Sequence, residues 1–235
     1  MQKLKRFELQ FLSKVDGILA ISELDNTYFK QFTEAKNYVI PYGIDDIDIR
    51  IAENEITQRQ CDCNLFYIGA LDWIPNQKGL IWFIKEVWPV INKDLTYAKL
   101  HIAGRNTPKS LINLINSTKN VQFYGEIEDA KSFMLSYSAM VVPLFSGSGI
   151  RVKIIQALGY GIPVIASSKA VEGINAEHEK HILIANNPRE FSTCIRRILT
   201  DKHLYIQLSR NGKELIQLKY NNKAYIRGLV NFYLN

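Results

Sequence analysis

The sequence predicts an α/β fold built on a parallel sheet with helices on both faces. Three observations carry that expectation. Between Asn64 and Ile184, short strand-like runs alternate with helical patterns, the signature of strands joined by helical crossovers. The run Ala139 to Leu144 is apolar throughout, as a strand covered on both sides must be. Four strand ends carry glycine, at Gly69, Gly104, Gly125 and the Gly147-Ser148-Gly149 turn. Ligands of such sheets sit beyond the carboxyl ends of the strands.

The elements follow in order. Residues 3–14 set Leu4, Phe7, Leu9, Phe11 and Leu12 among charges, an amphipathic helical pattern. A short strand is expected from Gly17 to Ile21. Ser22 then caps a helix reaching about Phe32, and Tyr38 to Pro41 forms another strand. From Asp45 to Asp62 the chain is polar and poorly periodic, so residues 46–62 read as a linker between residues 1–45 and a domain at 63–235. Beyond it, strands are expected at Asn64–Ala70, Lys99–Ala103, Val121–Tyr124, Ala139–Leu144, Ile162–Ala166 and His181–Ile184. Helices are expected at Lys78–Val87, Ser110–Thr118, Asp129–Tyr137 and after Gly149, the last ended by Gly159 and Gly161. Three more follow at Arg189–Leu199, Leu204–Gln217 and Lys223–Leu234.

Composition bounds the possibilities. The chain has 235 residues, 47% of them hydrophobic, which is ample for a core. Twenty-nine Lys and Arg against 23 Asp and Glu leave a charge of +6. The basic residues are scattered without a run, which gives no warrant for nucleic-acid binding. No stretch approaches the roughly 20 apolar residues of a membrane span, and the N-terminus lacks the apolar core of a signal peptide. Cys61, Cys63 and Cys194 read as reduced thiols, because Cys61-Asp62-Cys63 lacks the second pair a zinc site needs. A cytoplasmic protein is expected, with a peripheral place at the inner membrane face as a variant of that reading.

The segment Ser146 to Leu158 concentrates the chemistry. A glycine turn leads into a helix that carries Arg151 and Lys153 in its first turn. Free backbone N–H groups and the positive end of the helix dipole meet there, so the place suits an anion, most commonly a phosphate. Two solvated cations are the alternative, but the dipole disfavours them by a few tenths of a kcal/mol. Arg151 can fork two hydrogen bonds to a phosphate, while Lys153 acts as a point charge. The turn is neither a dinucleotide fingerprint, since Val152 occupies the third glycine position, nor a P-loop. Trp73 and Asn76, after the strand at 64–70, either shape a pocket or cap the core. The backbone around Tyr124 to Ile127 either meets a nucleobase edge or simply turns. His178 and His181 have no third ligand nearby, so no metal is expected.

Several ordered motifs together resemble a known family. These are Phe66 to Asn76, Trp88-Pro89, Ile102-Ala103-Gly104, Val121 to Gly125, Val142-Pro143-Leu144, the Gly-Ser-Gly-Ile-Arg-Val-Lys segment, and Gly161 to Ile165 followed by Glu172-Gly173. They resemble the C-terminal, nucleotide-sugar-binding half of group 1 glycosyltransferases with the GT-B fold, from about Asn64 to Tyr220. Residues 1–45, with Val15 to Glu23 and Ile40 to Asp45, resemble the end of that family's N-terminal acceptor domain. The resemblance implies a Rossmann-like fold and a retaining transfer of sugar from a nucleotide-diphosphate sugar to an acceptor hydroxyl of a glycan or lipid-linked sugar. The setting it implies is the synthesis of cell-surface or exopolysaccharide glycans, with no metal cofactor. It places Arg151 and Lys153 on the donor diphosphate, and Gly69, Asn76, Gly104, Ile127, Gly147, Ser148, Gly149 and Gln156 around the donor. Gln156 stands where the family usually has a Glu that bonds the ribose, and Ser148 where many relatives have a Glu that contacts the sugar. The alternative is a donor-binding subunit or a truncated relic that needs a separate acceptor-domain protein.

Overall fold

The computed structural model describes residues 2–12, 14–44 and 63–234. The expected linker at 46–62 lies outside them, as does Cys61. The chain divides into two compact units, Met1–Asp45 with Tyr220–Asn235, and Asp46–Lys219. Helix Asn222–Leu234 therefore groups with the first unit, although the sequence places it in a domain at 63–235. Its periodicity shows that it has an apolar face but not which surface that face meets.

The first unit contains helix α1 (Gln2–Leu12), strand β1 (Gly17–Ala20), helix α2 (Glu23–Phe29) and strand β2 (Lys36–Val39). Ser22 caps α2 by accepting a 3.1 Å hydrogen bond from the Asp25 N–H. β1 and β2 pair in parallel, with Gly17 opposite Lys36 and Ala20 opposite Val39. The C-terminal helix closes on this pair, and the Phe232 ring lies 6.0 Å from Tyr38.

Among its described residues the larger unit holds six strands: β3 (Asn64–Ile68), β4 (Lys99–Ala103), β5 (Val121–Gly125), β6 (Ala139–Val142), β7 (Val164–Ala166) and β8 (Leu183–Ile184). All pair in parallel in the order β5-β4-β3-β6-β7-β8. This is the doubly wound Rossmann order, whose direction of winding reverses between β3 and β6. Alternation along β3 shows both faces covered. Leu65 and Tyr67 join the core with Leu80, Phe83, Trp88 and Phe191, while Phe66 faces Phe133 and Tyr137 at ring distances of 6.0 and 5.9 Å. On that second face His101 stacks on Tyr137 at 4.2 Å and bonds the Tyr124 hydroxyl at 2.9 Å. Burial, with Lys99 adding to it, pulls the His101 pKa down to about 4, so the ring packs there uncharged.

The helix expected at Lys78–Val87 begins earlier and changes character midway. Helix α3 (Ile74–Trp82) starts directly after Trp73, with Pro75 in its first turn. Proline suits that position because its missing N–H would have no partner there anyway. A π-turn (Phe83–Val87) then leads into helix α4 (Trp88–Asp94), where the Trp88 N–H bonds the Phe83 carbonyl. The wider turn admits Pro89, which has no N–H to continue an α-helical ladder.

The remaining helices lie close to expectation: α5 (Lys109–Asn116), α6 (Ala130–Leu135), α7 (Val152–Gly159), a short α8 (Ser168–Val171) that the sequence pattern did not reveal, α9 (Pro188–Thr200) and α10 (Lys202–Lys219). After α7, Ile162 N–H bonds Ala157 O and Gly161 N–H bonds Leu158 O, both at 2.9 Å. Gly161 has φ +63°, so the helix ends in a Schellman motif. Among the described residues no helix is long and apolar enough to cross a membrane.

Helix α3 packs against the end of β6 at Gly79, where a Cβ would lie 1.7 Å from the Pro143 carbonyl oxygen. Ala in place of Gly gains about 1 kcal/mol of helix propensity, but the overlap with fixed backbone outweighs it. Gly79→Ala is expected to destabilise the protein by about 2 kcal/mol net, the scale of core overpacking. Urea denaturation read beside the exposed control Lys78→Ala, which should change little, checks this.

Candidate functional site

The winding reversal between β3 and β6 brings the loops after these strands together. Leu65 pairs with Ala139 and Phe66 with Met140, so Gly69 and the Ser146–Gly149 turn both lie beyond the carboxyl ends of central strands. The loop after β6 is fixed at several points before it turns. Phe145 packs edge-on against Trp82 of α3 at 4.6 Å, and the Ser167 hydroxyl donates to the Leu144 carbonyl. Gly147 and Gly149 then take φ +102° and +86°, values that side chains disfavour and glycine permits.

Arg151 and Lys153 do not both occupy the first helical turn as expected. α7 starts at Val152, and Arg151 is the residue before it, with φ −90° and ψ 86°. Its side chain folds back over the glycine turn. Nη1 donates to the carbonyls of Ser148 at 2.6 Å and Gly149 at 2.7 Å, and the guanidinium lies 5.4 Å from the Trp73 ring centroid. Arg151 is 9% exposed, and its buried Nε has no hydrogen-bond partner. Burial pulls its pKa down, and the charge of Glu172 opposes that.

Lys153 is half-buried and reaches across the gap between strands. Its Nζ donates to the Ile68 carbonyl at 2.9 Å and lies 4.5 Å from the Tyr67 ring centroid. Burial first, and then the charge of Arg151, pull its pKa down to about 7. Neither cation forms an ion pair among the described residues. Two partly desolvated cations beside a helix N-terminus, one with an unused N–H, make a strong anion seat.

The other expected residues divide into two groups. Gly69, Gly147, Ser148 and Gly149 surround the two cations, and Asn76 stands beside Gly69, its Nδ2 donating to the Ala70 carbonyl at 2.8 Å. Gln156 lies further along α7 and is half-exposed. Ile127 follows β5 and is also half-buried, with no polar contact to the cations. Gly104 serves the backbone, since a Cβ there would meet the Gly69 carbonyl and the Leu71 side chain, both at 2.6 Å. Trp73 settles as a ring laid against Gly147 and Arg151, 38% exposed. Sequence reasoning missed Tyr67 beneath Lys153. The signal was a tyrosine inside a central strand, where its hydroxyl has few available partners.

Residues 62–201 match the family described as glycosyl transferases group 1, and the chain belongs to that family. A 44.6 kDa protein in the cps region of Klebsiella pneumoniae is 25% identical over 180 residues, covering 71% of this chain and 42% of that protein. A glycosyltransferase of Haemophilus influenzae is 21% identical over 206 residues, covering 84% and 56%. The chain therefore spans about half the length of these relatives. Among solved structures, TarM of S. aureus superposes with a TM-score of 0.79 at 16% identity, covering 99% of this chain and 46% of that one. The sucrose-phosphate synthase of Thermosynechococcus elongatus gives 0.78 at 19%, covering 99% and 61%. HepE of Anabaena, solved with UDP and glucose, gives 0.74 at 16%, covering 96% and 66%. At these identities the likeness is one of fold, and the fold is the GT-B type that the motifs resemble.

The lowered pKa of Lys153 has a defined sign in stability. Its folded value of about 7 lies below the unfolded value, so unfolding takes up a proton between about pH 7 and pH 10. The charged form burdens the folded state below pH 7, and that burden lifts as pH rises. The melting temperature of Lys153→Met minus that of the parent should thus be more positive at pH 6 than at pH 9. Calorimetry at constant ionic strength measures it, and a difference independent of pH would show that the ammonium is not desolvated.

Proposed function

We propose that this chain binds a nucleotide-diphosphate sugar at the β3–β6 reversal and serves the transfer of that sugar to an acceptor hydroxyl. The observation that carries the reading is the pair of cations Arg151 and Lys153, without ion-pair partners among the described residues, gathered at the glycine turn and the N-terminus of α7. In the transfer, the bond between the anomeric carbon and the diphosphate oxygen breaks, and its electrons remain on the diphosphate. Arg151, Lys153 and the α7 N–H groups stabilise that departing charge electrostatically, without a metal. The acceptor oxygen bonds the anomeric carbon with retention and loses its proton to a group of the acceptor-binding half. A glycan or lipid-linked sugar is the acceptor class, in cell-surface or exopolysaccharide assembly. The cps-region relative supports that setting.

HepE was solved with UDP and with UDP-glucose, and TarM with UDP. UDP is therefore the first probe here, with GDP, ADP and CDP beside it. Gln156 would accept from a ribose hydroxyl through its amide oxygen, with less strength than a carboxylate. A second reading keeps donor binding and separates it from catalysis, because Gln156 stands where the resemblance expects a ribose-binding Glu. In it these residues bind the donor without transferring its sugar unless another protein takes part. Incubation with labelled sugar nucleotides and a glycan acceptor separates the two readings, because turnover by the chain alone excludes the second.

Arg151→Ala should weaken nucleoside diphosphate binding about tenfold, or roughly 1.4 kcal/mol. Titration calorimetry tests this, and equal affinity in variant and parent would remove Arg151 from the site.

A further inference from the structure

Helix α1 presents two opposite faces to different surroundings. Leu12 is buried and Leu9 half-buried in the first unit. On the other side, Phe7 and Phe11 are 56% and 47% exposed, with their rings 4.6 Å apart. Residues 3, 7 and 11 lie on one stripe of a helix, because they are four positions apart. Beyond the helix end the Lys14 N–H bonds the Phe11 carbonyl at 2.9 Å, and Lys14 Nζ lies 5.4 Å from the Phe11 ring centroid. Lys3 and Arg6 are exposed as well. The aromatic pair is thus bracketed by Lys3 and Lys14 and flanked by Arg6. The helix's acidic residue, Glu8, sits about 100° around the axis from Phe7.

The same kind of surface continues past Lys14. A groove of about 540 Å³ opens there, lined by Lys14, Val15, Leu19, Lys36, Phe232 and Tyr233, with Asp16 as an acid among them. Val15, Leu19 and Tyr233 are exposed. Single exposed apolar side chains are ordinary on a protein surface. A stacked aromatic pair between cations, continued by an apolar groove with two lysines, asks for a partner that is apolar inside and anionic at its boundary. A bilayer interface has that structure: aromatic rings enter the acyl boundary while Lys and Arg ends remain at the phosphates. A second copy of this face would set like charges against each other.

We propose that the exposed face of α1, with the adjoining groove, seats this chain on an anionic phospholipid surface. Phe7 and Phe11 enter the layer, and Lys3, Arg6 and Lys14 meet its phosphates. The attachment is to the surface, since no described helix is long and apolar enough to cross a membrane. It is independent of the donor-site reading and can fail without it.

Co-sedimentation of the whole chain with vesicles of equal parts phosphatidylcholine and phosphatidylglycerol tests this, beside vesicles of phosphatidylcholine alone. The parent should bind the anionic vesicles at least about tenfold more tightly, and added salt should weaken that binding. Phe7→Ser combined with Phe11→Ser should lose about tenfold or more, the scale of withdrawing one aromatic side chain from an apolar layer. Lys3→Gln combined with Arg6→Gln should lose about as much on the anionic vesicles only. Tyr97→Ser, which removes an exposed ring from the larger unit, should change neither. All these positions are exposed, so melting temperatures should stay near the parent's. A parent that does not bind anionic vesicles, or binds both kinds equally, overturns the proposal. So does an unchanged affinity in the double phenylalanine variant, or an equal loss in Tyr97→Ser. If the double phenylalanine variant melts lower, the lysine–arginine variant decides, and its unchanged affinity for anionic vesicles overturns the proposal. If light scattering shows a dimer that the phenylalanine substitutions split, and vesicles bind neither form, the face is a contact between copies and the proposal falls.

Discussion

The hydrogen bond from Lys153 Nζ to the Ile68 carbonyl, 2.9 Å long, joins the first turn of α7 to the end of β3. These are the elements on either side of the winding reversal, and a carbonyl at the end of a strand has no further ladder partner on that side. The ammonium supplies one. In doing so it gives up water for a carbonyl and an aromatic ring, which explains why its affinity for a proton falls. The glycine turn and the fold-back of Arg151 lie beside this crossing.

The two cations take different tasks because their side chains differ. Arg151 has five N–H groups in a rigid plane, so it can bind two loop carbonyls through Nη1 and still offer donors to a ligand. It thereby holds the turn in shape before any anion arrives. Lys153 has a flexible stem and a compact charge, so it can shift toward a ligand oxygen while its neighbours stay in place. One residue maintains the geometry and the other can respond to the ligand.

Much of this was legible in the sequence. The six strands of the large unit were expected within a few residues because each is a short apolar run between turn residues. Their order was not legible, since periodicity shows which faces are apolar but not which edges meet. The early start of α3 was hidden because Trp73 and Pro75 resemble loop residues until a helix N-terminus is placed there. The π-turn had no sequence signal beyond Pro89. Arg151 was placed inside the helix rather than just before it, because a one-residue shift at a helix start depends on loop geometry. Tyr67 drew no reading of its own, and its ring belongs to the core. That its hydroxyl is buried without a hydrogen-bond partner is visible only in the structure.

The unused Nε of Arg151 has a consequence for ionic strength. A cation in open water attracts anions through a field that dissolved salt cancels over about 8–10 Å. The +6 net charge of this chain, spread over its surface, acts in that way. The Arg151 guanidinium does not, because it is largely out of water and already stripped of competing solvent. Dissolved ions cannot interpose themselves between it and a phosphate in contact with it. For the proposed nucleotide ligand, salt should therefore slow approach far more than it hastens departure, so that the surface charge governs arrival and the buried charge governs residence.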